Sequence, residues 1–232
     1  DMVGVDKIGD ADWCVVIDYT GKKVPQDRTI YVSAHPIMHC YTGYRCNTDK
    51  THHLDNAEHF GFGGGWVKYD YDYLSALKPM EKTKNLCCIM TNSGGAWGKD
   101  ERKRFAKDLN ARYPMELWGR IIRDGYGLGG LGENTPDKYW FGKEEVLAQH
   151  RYSIEVDHGP CKNYFSERFF DSMLMWCMPL YWGSTNVHEF LPKESFRYID
   201  INGNGDDVIG IVESDVREKN LSAIAEARDM LL

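Results

Sequence analysis

The stretch Arg151–Gly183 reads RYSIEVDHGPCKNYFSERFFDSMLMWCMPLYWG. Its apolar run Tyr152–Val156 predicts a buried strand, Glu167–Cys177 carries apolar residues at helical spacing, and Pro179–Trp182 predicts a second strand. A strand, a helix and a strand in succession imply a parallel pair, and ligands of open parallel sheets sit beyond the carboxyl ends of strands, against helix N-termini. The polar loop between the first strand and the helix delivers Tyr164, Ser166, Glu167 and Arg168 to that place. An anion there would meet free backbone N–H groups, the positive end of the helix dipole and the guanidinium of Arg168. Ser166 also suits a plain N-cap, and Glu167 would complement the dipole without a ligand. A capping box, however, wants its acid three residues after the cap, where Phe169 stands, so Glu167 has no capping role.

The same alternation extends to both sides. Upstream lie strand Leu86–Thr91, helix Asp100–Arg112, strand Met115–Trp118, a glycine-rich loop Gly125–Gly132 and helix Lys143–His150. Downstream follow a short helix, strand Phe196–Ile201 and helices Asp206–Glu213 and Val216–Leu232. Strands alternating with helices mean an α/β fold with a parallel sheet covered on both faces. Before Pro79 and the charged Glu81-Lys82-Thr83-Lys84, strand-like runs stand at Trp13–Tyr19 and Arg28–Ala34, then a loop rich in His, Asn, Asp and Gly and a tyrosine-rich segment. The division expected is therefore 1–80, an N-terminal lobe, and 81–232, the parallel-sheet domain.

Composition bounds the function. The chain has 232 residues, 42% of them hydrophobic and 27% charged, enough for one large domain or two small ones. A net charge of −7 argues against nucleic acid, which needs a basic face. The basic group Lys99, Arg102, Lys103, Arg104 and Lys107 is interrupted by Asp100 and Glu101 and reads mostly as a solvated helix face. Seven cysteines without CxxC pairs give no zinc pattern, and Cys87, Cys88 and Cys177 stand in apolar contexts as small hydrophobes. That usage suits a reducing compartment, hence a cytoplasmic location. No apolar run has the length of a membrane span; a membrane anchor upstream of Asp1 stays open.

With these residues in place, the sequence resembles the α-1,3/α-1,4-fucosyltransferases, glycosyltransferase family 10. That family's signature is Tyr-x-Thr-Glu-Lys at the head of a helix, then a Pro-(Ile/Leu)-Tyr-Trp-Gly strand, then Phe-Asn-Pro-Lys-Ser-Phe. Here it stands as Tyr164-Phe165-Ser166-Glu167-Arg168, Pro179-Leu180-Tyr181-Trp182-Gly183 and Phe190-Leu191-Pro192-Lys193-Glu194-Ser195-Phe196. Upstream, Leu86–Thr91 leads into Asn92, and Arg102 precedes Phe105-Ala106-Lys107-Asp108-Leu109-Asn110, in the family's order over roughly residues 84–200. The resemblance implies a GT-B-type enzyme whose Rossmann-like parallel-sheet donor domain is 81–232, with 1–80 a reduced or truncated N-terminal α/β lobe on the acceptor side.

It also implies inverting transfer of fucose from GDP-fucose to a hydroxyl of a glycan acceptor, with no cofactor and no metal. The donor-binding residues it carries over are Asn92, Arg102, Tyr164, Ser166, Glu167 and Arg168: Arg102 and Tyr164 on the diphosphate, Glu167 on donor hydroxyls. The family's Lys is Arg168 here, a planar fork in place of a point charge, and its Phe-Glu-Asn is Val156-Asp157-His158. The general base, a Glu after an N-terminal-lobe strand in the family, falls on His35 within Ser33-Ala34-His35-Pro36. Imidazole is competent for that work, with an ordinary pKa of ~6.5 against ~4.3 for Glu. A structural His in a turn is the alternative there. Metal use would rest on Asp10-Ala11-Asp12, on Asp70-Tyr71-Asp72 or on the histidines 35, 39, 52, 53 and 59, none in a metal-ligand context. Trp66, Tyr69, Tyr71 and Tyr73 offer rings for an acceptor sugar, or simply packing. A catalytically inactive relative that binds nucleotide or glycan, and an enzyme using another nucleotide sugar, are the competing functions.

Overall fold

The computed structural model describes residues 14–17, 29–32, 69–90, 99–119, 142–157, 159–160 and 166–232. The chain forms two compact units, Asp1–Phe60 and Gly61–Leu232. In the first, strands β1 (Cys14–Ile17) and β2 (Thr29–Val32) pair in parallel. These lie within the two strand-like runs of that region, whose β-branched residues favour extended backbone.

The first described element of the second unit is helix α1 (Tyr71–Ala76), within the tyrosine-rich segment. Asp70 sets its start: its carboxylate accepts the Tyr73 N–H at 2.9 Å and caps the helix. Then come β3 (Lys84–Ile89), α2 (Lys99–Arg112), β4 (Glu116–Trp118), α3 (Lys143–Gln149), β5 (His150–Val156), α4 (Glu167–Leu174) and β6 (Met178–Trp182). After two single 3-10 turns follow β7 (Arg197–Tyr198), α5 (Asp206–Val212), α6 (Val216–Lys219) and α7 (Leu221–Leu231). The last two were expected as one helix; the break falls at Asn220, whose side-chain amide donates to the Val216 carbonyl at 2.6 Å and closes the first of them.

All strand pairs of this unit are parallel, in the order β4-β3-β5-β6-β7. The second strand in sequence lies on one side of the first and the third on the other, so the crossover direction reverses between β3 and β5. In such sheets that switch point opens a crevice outside the strands' carboxyl ends. One face buries Leu86, Cys88, Tyr152, Ile154 and Leu180 against Phe105 and Leu109 of α2 and Val208 and Val212 of α5. The opposite face packs Cys87 and Cys177 against Leu147 of α3 and Leu174 of α4. Beyond it, Phe169 and Met173 of α4 meet Tyr181 and Phe196. Leu74 of α1 is buried in the same layer as α3 and α4. This is the α/β parallel sheet with helices on both faces that the alternation of elements implies, and it agrees with the Rossmann-like domain that the resemblance implies.

Candidate functional site at the sheet's switch point

Helix α2 follows β3 and helix α4 follows β5, so both begin above the crevice, and each brings an arginine there. Arg102, in the first turns of α2, is only 1% exposed. Its neighbour Arg104 is exposed, so of these two arginines Arg102 is the one turned inward. The Nε and Nη1 atoms of Arg102 have no hydrogen-bond partner among the described residues. Burial, and then the adjacent charge of Arg168, lower this guanidinium to about 10, while Cys88 and Asp157 oppose the fall. It remains a cation at neutral pH, buried and incompletely bonded, which costs free energy that a bound anion would recover. A solvated helix residue, the plain alternative for this position, does not look like this.

Arg168 is the second residue of α4 and is partly exposed. Its Nη1 donates to the Val156 carbonyl at 3.4 Å, at the end of β5, and its Nε stands 4.0 Å from Glu167 Oε1. Ser166 takes the N-cap backbone conformation (φ −85°, ψ 168°), yet its side chain does not cap the helix. The hydroxyl donates instead to Asp157 Oδ1, and the Ser166 N–H to Asp157 Oδ2 at 3.3 Å. Of the residues expected at the site, Arg102, Ser166, Glu167 and Arg168 are thus seen, all at the openings of α2 and α4. Asn92, Tyr164 and His35 lie outside the described residues, as do His158, Trp66 and the histidines 39, 52, 53 and 59.

Tyr69 stacks on Tyr73 at 4.0 Å between centroids, so those two rings serve each other, while Tyr71 is exposed on α1. Asp70, of the Asp70-Tyr71-Asp72 triplet, is occupied as a helix cap. Among the described residues, no three His, Cys, Asp or Glu side chains are arranged to hold a metal ion. Cys87, Cys88 and Cys177 are free and buried.

Residues 79–205, more than half of the chain, match the model of glycosyltransferase family 10 (fucosyltransferase), C-terminal part. The chain belongs to this family. Family 10 relatives include the α-(1,3)-fucosyltransferase B of Drosophila melanogaster, 23% identical over 97 residues that cover 40% of this chain and 21% of that protein. The α-(1,4)-fucosyltransferase of Arabidopsis thaliana is 22% identical over 103 residues, 40% of this chain and 26% of that one. The matched stretches thus span about a fifth to a quarter of those relatives' length. A crystal structure of an α1,3-fucosyltransferase with GDP superposes with a TM-score of 0.48 at 16% identity, covering 98% of this chain and 62% of the other.

Three buried residues of this family 10 domain were given no role by the sequence reading, although two of them stand in its motifs: Asp157, Glu155 and Tyr181. Tyr181 donates to Asp157 Oδ2 at 2.5 Å and accepts the Ser184 N–H at 2.8 Å. Glu155 accepts the hydroxyls of Ser153 (2.6 Å) and Ser172, and burial raises its carboxyl to about 7 against the pull of Lys143 and those hydroxyls. Burial raises Asp157 also, opposed by the bonds from Ser166 and Tyr181. A signal was present: Ser153, Glu155 and Asp157 form a period-two polar column in a strand that is buried on both faces. Polar residues repeating along one face of such a strand require partners, and the partners are on α4 and β6.

Proposed function

We propose that this chain is a GT-B-type inverting glycosyltransferase that transfers fucose from GDP-fucose to a hydroxyl of a glycan acceptor, without a metal. The observation that carries the reading is the Arg102 guanidinium, buried and incompletely bonded beside Arg168 at the switch point. Two fixed cations and two helix N-termini suit a diphosphate, whose negative charge grows as the bond from its oxygen to the anomeric carbon breaks. Groups that meet that growing charge lower the barrier without a metal ion. Glu167, beside Arg168, is proposed to bind donor hydroxyls, with Tyr164 and Asn92 completing the donor site.

In the reaction, the acceptor oxygen forms the new bond on the face opposite the leaving diphosphate. The acceptor proton passes to the base, assigned here to His35, and the bonding pair leaves with GDP. The His in place of the family's Glu favours a second reading, a nucleotide- or glycan-binding relative without transferase activity.

Thermal unfolding in EDTA with GDP, UDP and ADP in turn, and again with Mn²⁺, tests the first reading. GDP at a hundredfold excess over its Kd should stabilise the fold by about 3 kcal/mol, with or without metal. No stabilisation by GDP would overturn the donor assignment, and stabilisation only with Mn²⁺ would overturn metal independence. Transfer to a glycan should be lost in His35→Ala; equal rates in the two proteins remove His35 from the mechanism, and no transfer by either supports the binding-only reading.

A further inference from the structure

We propose that Asp157 is a positioning residue, which turns the Ser166 hydroxyl away from α4 and so keeps that helix's first N–H groups open for a diphosphate. The inference rests on the nucleotide-sugar reading above. Serine at an N-cap ordinarily accepts from the N–H of the second or third helical residue, here Arg168 or Phe169. Ser166 makes no such bond: the hydrogen bond that its hydroxyl donates to Asp157 holds its oxygen, acceptor lone pairs included, away from those N–H groups. The Phe169 N–H reaches the Ser166 carbonyl at 3.2 Å, whereas those of Glu167 and Arg168 belong to the first turn and have no acceptor among the described residues.

The brace is built from several elements. Asp157, 2% exposed, follows β5 and has both oxygens engaged: Oδ1 by the Ser166 hydroxyl, Oδ2 by the Tyr181 hydroxyl at 2.5 Å and the Ser166 N–H at 3.3 Å. Its own N–H donates to the Trp182 carbonyl at 2.9 Å, which ties it to β6. The Ser184 N–H donates to the Tyr181 oxygen at 2.8 Å and so directs the phenol's own proton towards Asp157. Gly183 leaves room for this arrangement: a Cβ there would lie 2.2 Å from the Tyr181 oxygen and 2.9 Å from Asp157 Oδ2. A carboxylate so committed aims the helix; it does not itself contact a sugar.

That the opened helix end faces a ligand has independent support. Arg102 comes from a different helix, is 1% exposed, and has two nitrogens without a partner among the described residues. It is close enough to both Arg168 and Asp157 to sense their charges. An anion at α4 would bond both the freed N–H groups and this guanidinium.

The test measures binding of GDP, GDP-fucose and guanosine to the wild type, Asp157→Asn and the double variant Asp157→Asn/Ser166→Ala, by calorimetry and saturation-transfer NMR. Asn keeps the shape but puts an amide where an acceptor is needed, which releases the Ser166 hydroxyl to cap α4. Asp157→Asn should bind GDP and GDP-fucose about tenfold more weakly, by the same factor, and guanosine unchanged. The added Ser166→Ala should restore most of the loss, since alanine cannot cap; a merely structural defect would not be rescued. An equal loss for guanosine, a loss confined to GDP-fucose, an unrescued loss or no loss at all would each overturn the inference. Should Asp157→Asn not fold, Tyr181→Phe carries the same test: a smaller loss, again confined to the two diphosphates, is expected, and unaltered GDP binding would overturn the inference. Wild-type protein that fails to bind GDP would sink the function and this inference together; GDP binding by the wild type with unaltered binding in Asp157→Asn would sink the inference alone.

Discussion

Arg102 is a side chain that is costly to the empty fold and that, under the proposed function, would pair with a bound diphosphate. A buried guanidinium with unmade hydrogen bonds destabilises unless something pairs with it. Arg102→Gln should therefore leave the unliganded protein as stable as the wild type or more so. The same change should weaken GDP by about 10- to 100-fold, the worth of one or two charge-assisted bonds to phosphate. Thermal melts and GDP titrations of the two proteins check both halves; a large loss of stability with unchanged GDP affinity would mark Arg102 as structural. Its identity and place in the chain were legible in the sequence. Its burial was not, because the flanking Lys103 and Arg104 give the helix a polar look and only packing decides which of three consecutive cations turns inward.

At the scale of the element, α4 is secured at both ends. Its carboxyl end closes with Trp176 in the left-handed region (φ 58°), where glycine is usual. The Trp176 N–H reaches the Met173 carbonyl at 2.9 Å and the Cys177 N–H that of Ser172 at 2.8 Å, which satisfies two of the last carbonyls. The strain of a non-glycine residue there is of order 1 kcal/mol. The ring offsets it: its Nε1–H donates to the Leu77 carbonyl at 2.9 Å and its face lies 4.4 Å from the Arg228 guanidinium carbon.

Three cations then take the carbonyls that remain: Arg228 that of Leu174 (3.1 Å), Lys82 that of Met175 (2.7 Å) and Arg217 that of Trp176 (2.9 Å). They complement the negative end of the dipole whose positive end faces the site. Lys82 also bonds the Leu147 carbonyl at 2.8 Å, at the close of α3. Lys82→Met should leave both carbonyls without that donor and cost about 3 kcal/mol in urea unfolding; a cost under about 0.5 kcal/mol would show that water replaces it. The helix and its start were readable from apolar spacing and Ser166. The clamp was not, since its members lie at residues 82, 217 and 228 and meet only through the fold.

For the whole molecule, the buried carboxyls make stability depend on pH in a sense opposite to ordinary acid denaturation. Glu155 titrates near 7 in the fold and ~4.3 when unfolded, so between those values the folded state holds more protons. Its contribution is fully present below the unfolded pKa and is lost as pH rises through about 7. Lys143, the hydroxyls of Ser153 and Ser172, and Arg168 favour its charged form and limit the rise that burial causes. His150, lowered chiefly by burial, acts in the opposite sense over part of the same range, so the wild-type curve alone mixes the two. Glu155→Gln separates them: its stability relative to the wild type should rise by about 3 kcal/mol between pH 4.5 and 8. A pH-independent difference would mean that Glu155 is ionised throughout.

The sequence by itself determined the order of elements from β3 to α5, the parallel sheet and the family, because strand and helix periodicities and a motif of neighbouring residues are local properties. It also placed Ser166, Glu167 and Arg168 at one helix end, since their spacing along the chain is their spacing in space. Only the tertiary structure decided that Arg102 is buried beside Arg168, that Ser166 serves Asp157 rather than its own helix, and that Asp157 is a brace. Those facts depend on hydrogen bonds and burial between β5, β6, α2 and α4, elements whose relative placement is fixed by packing across the sheet, which no stretch of sequence records.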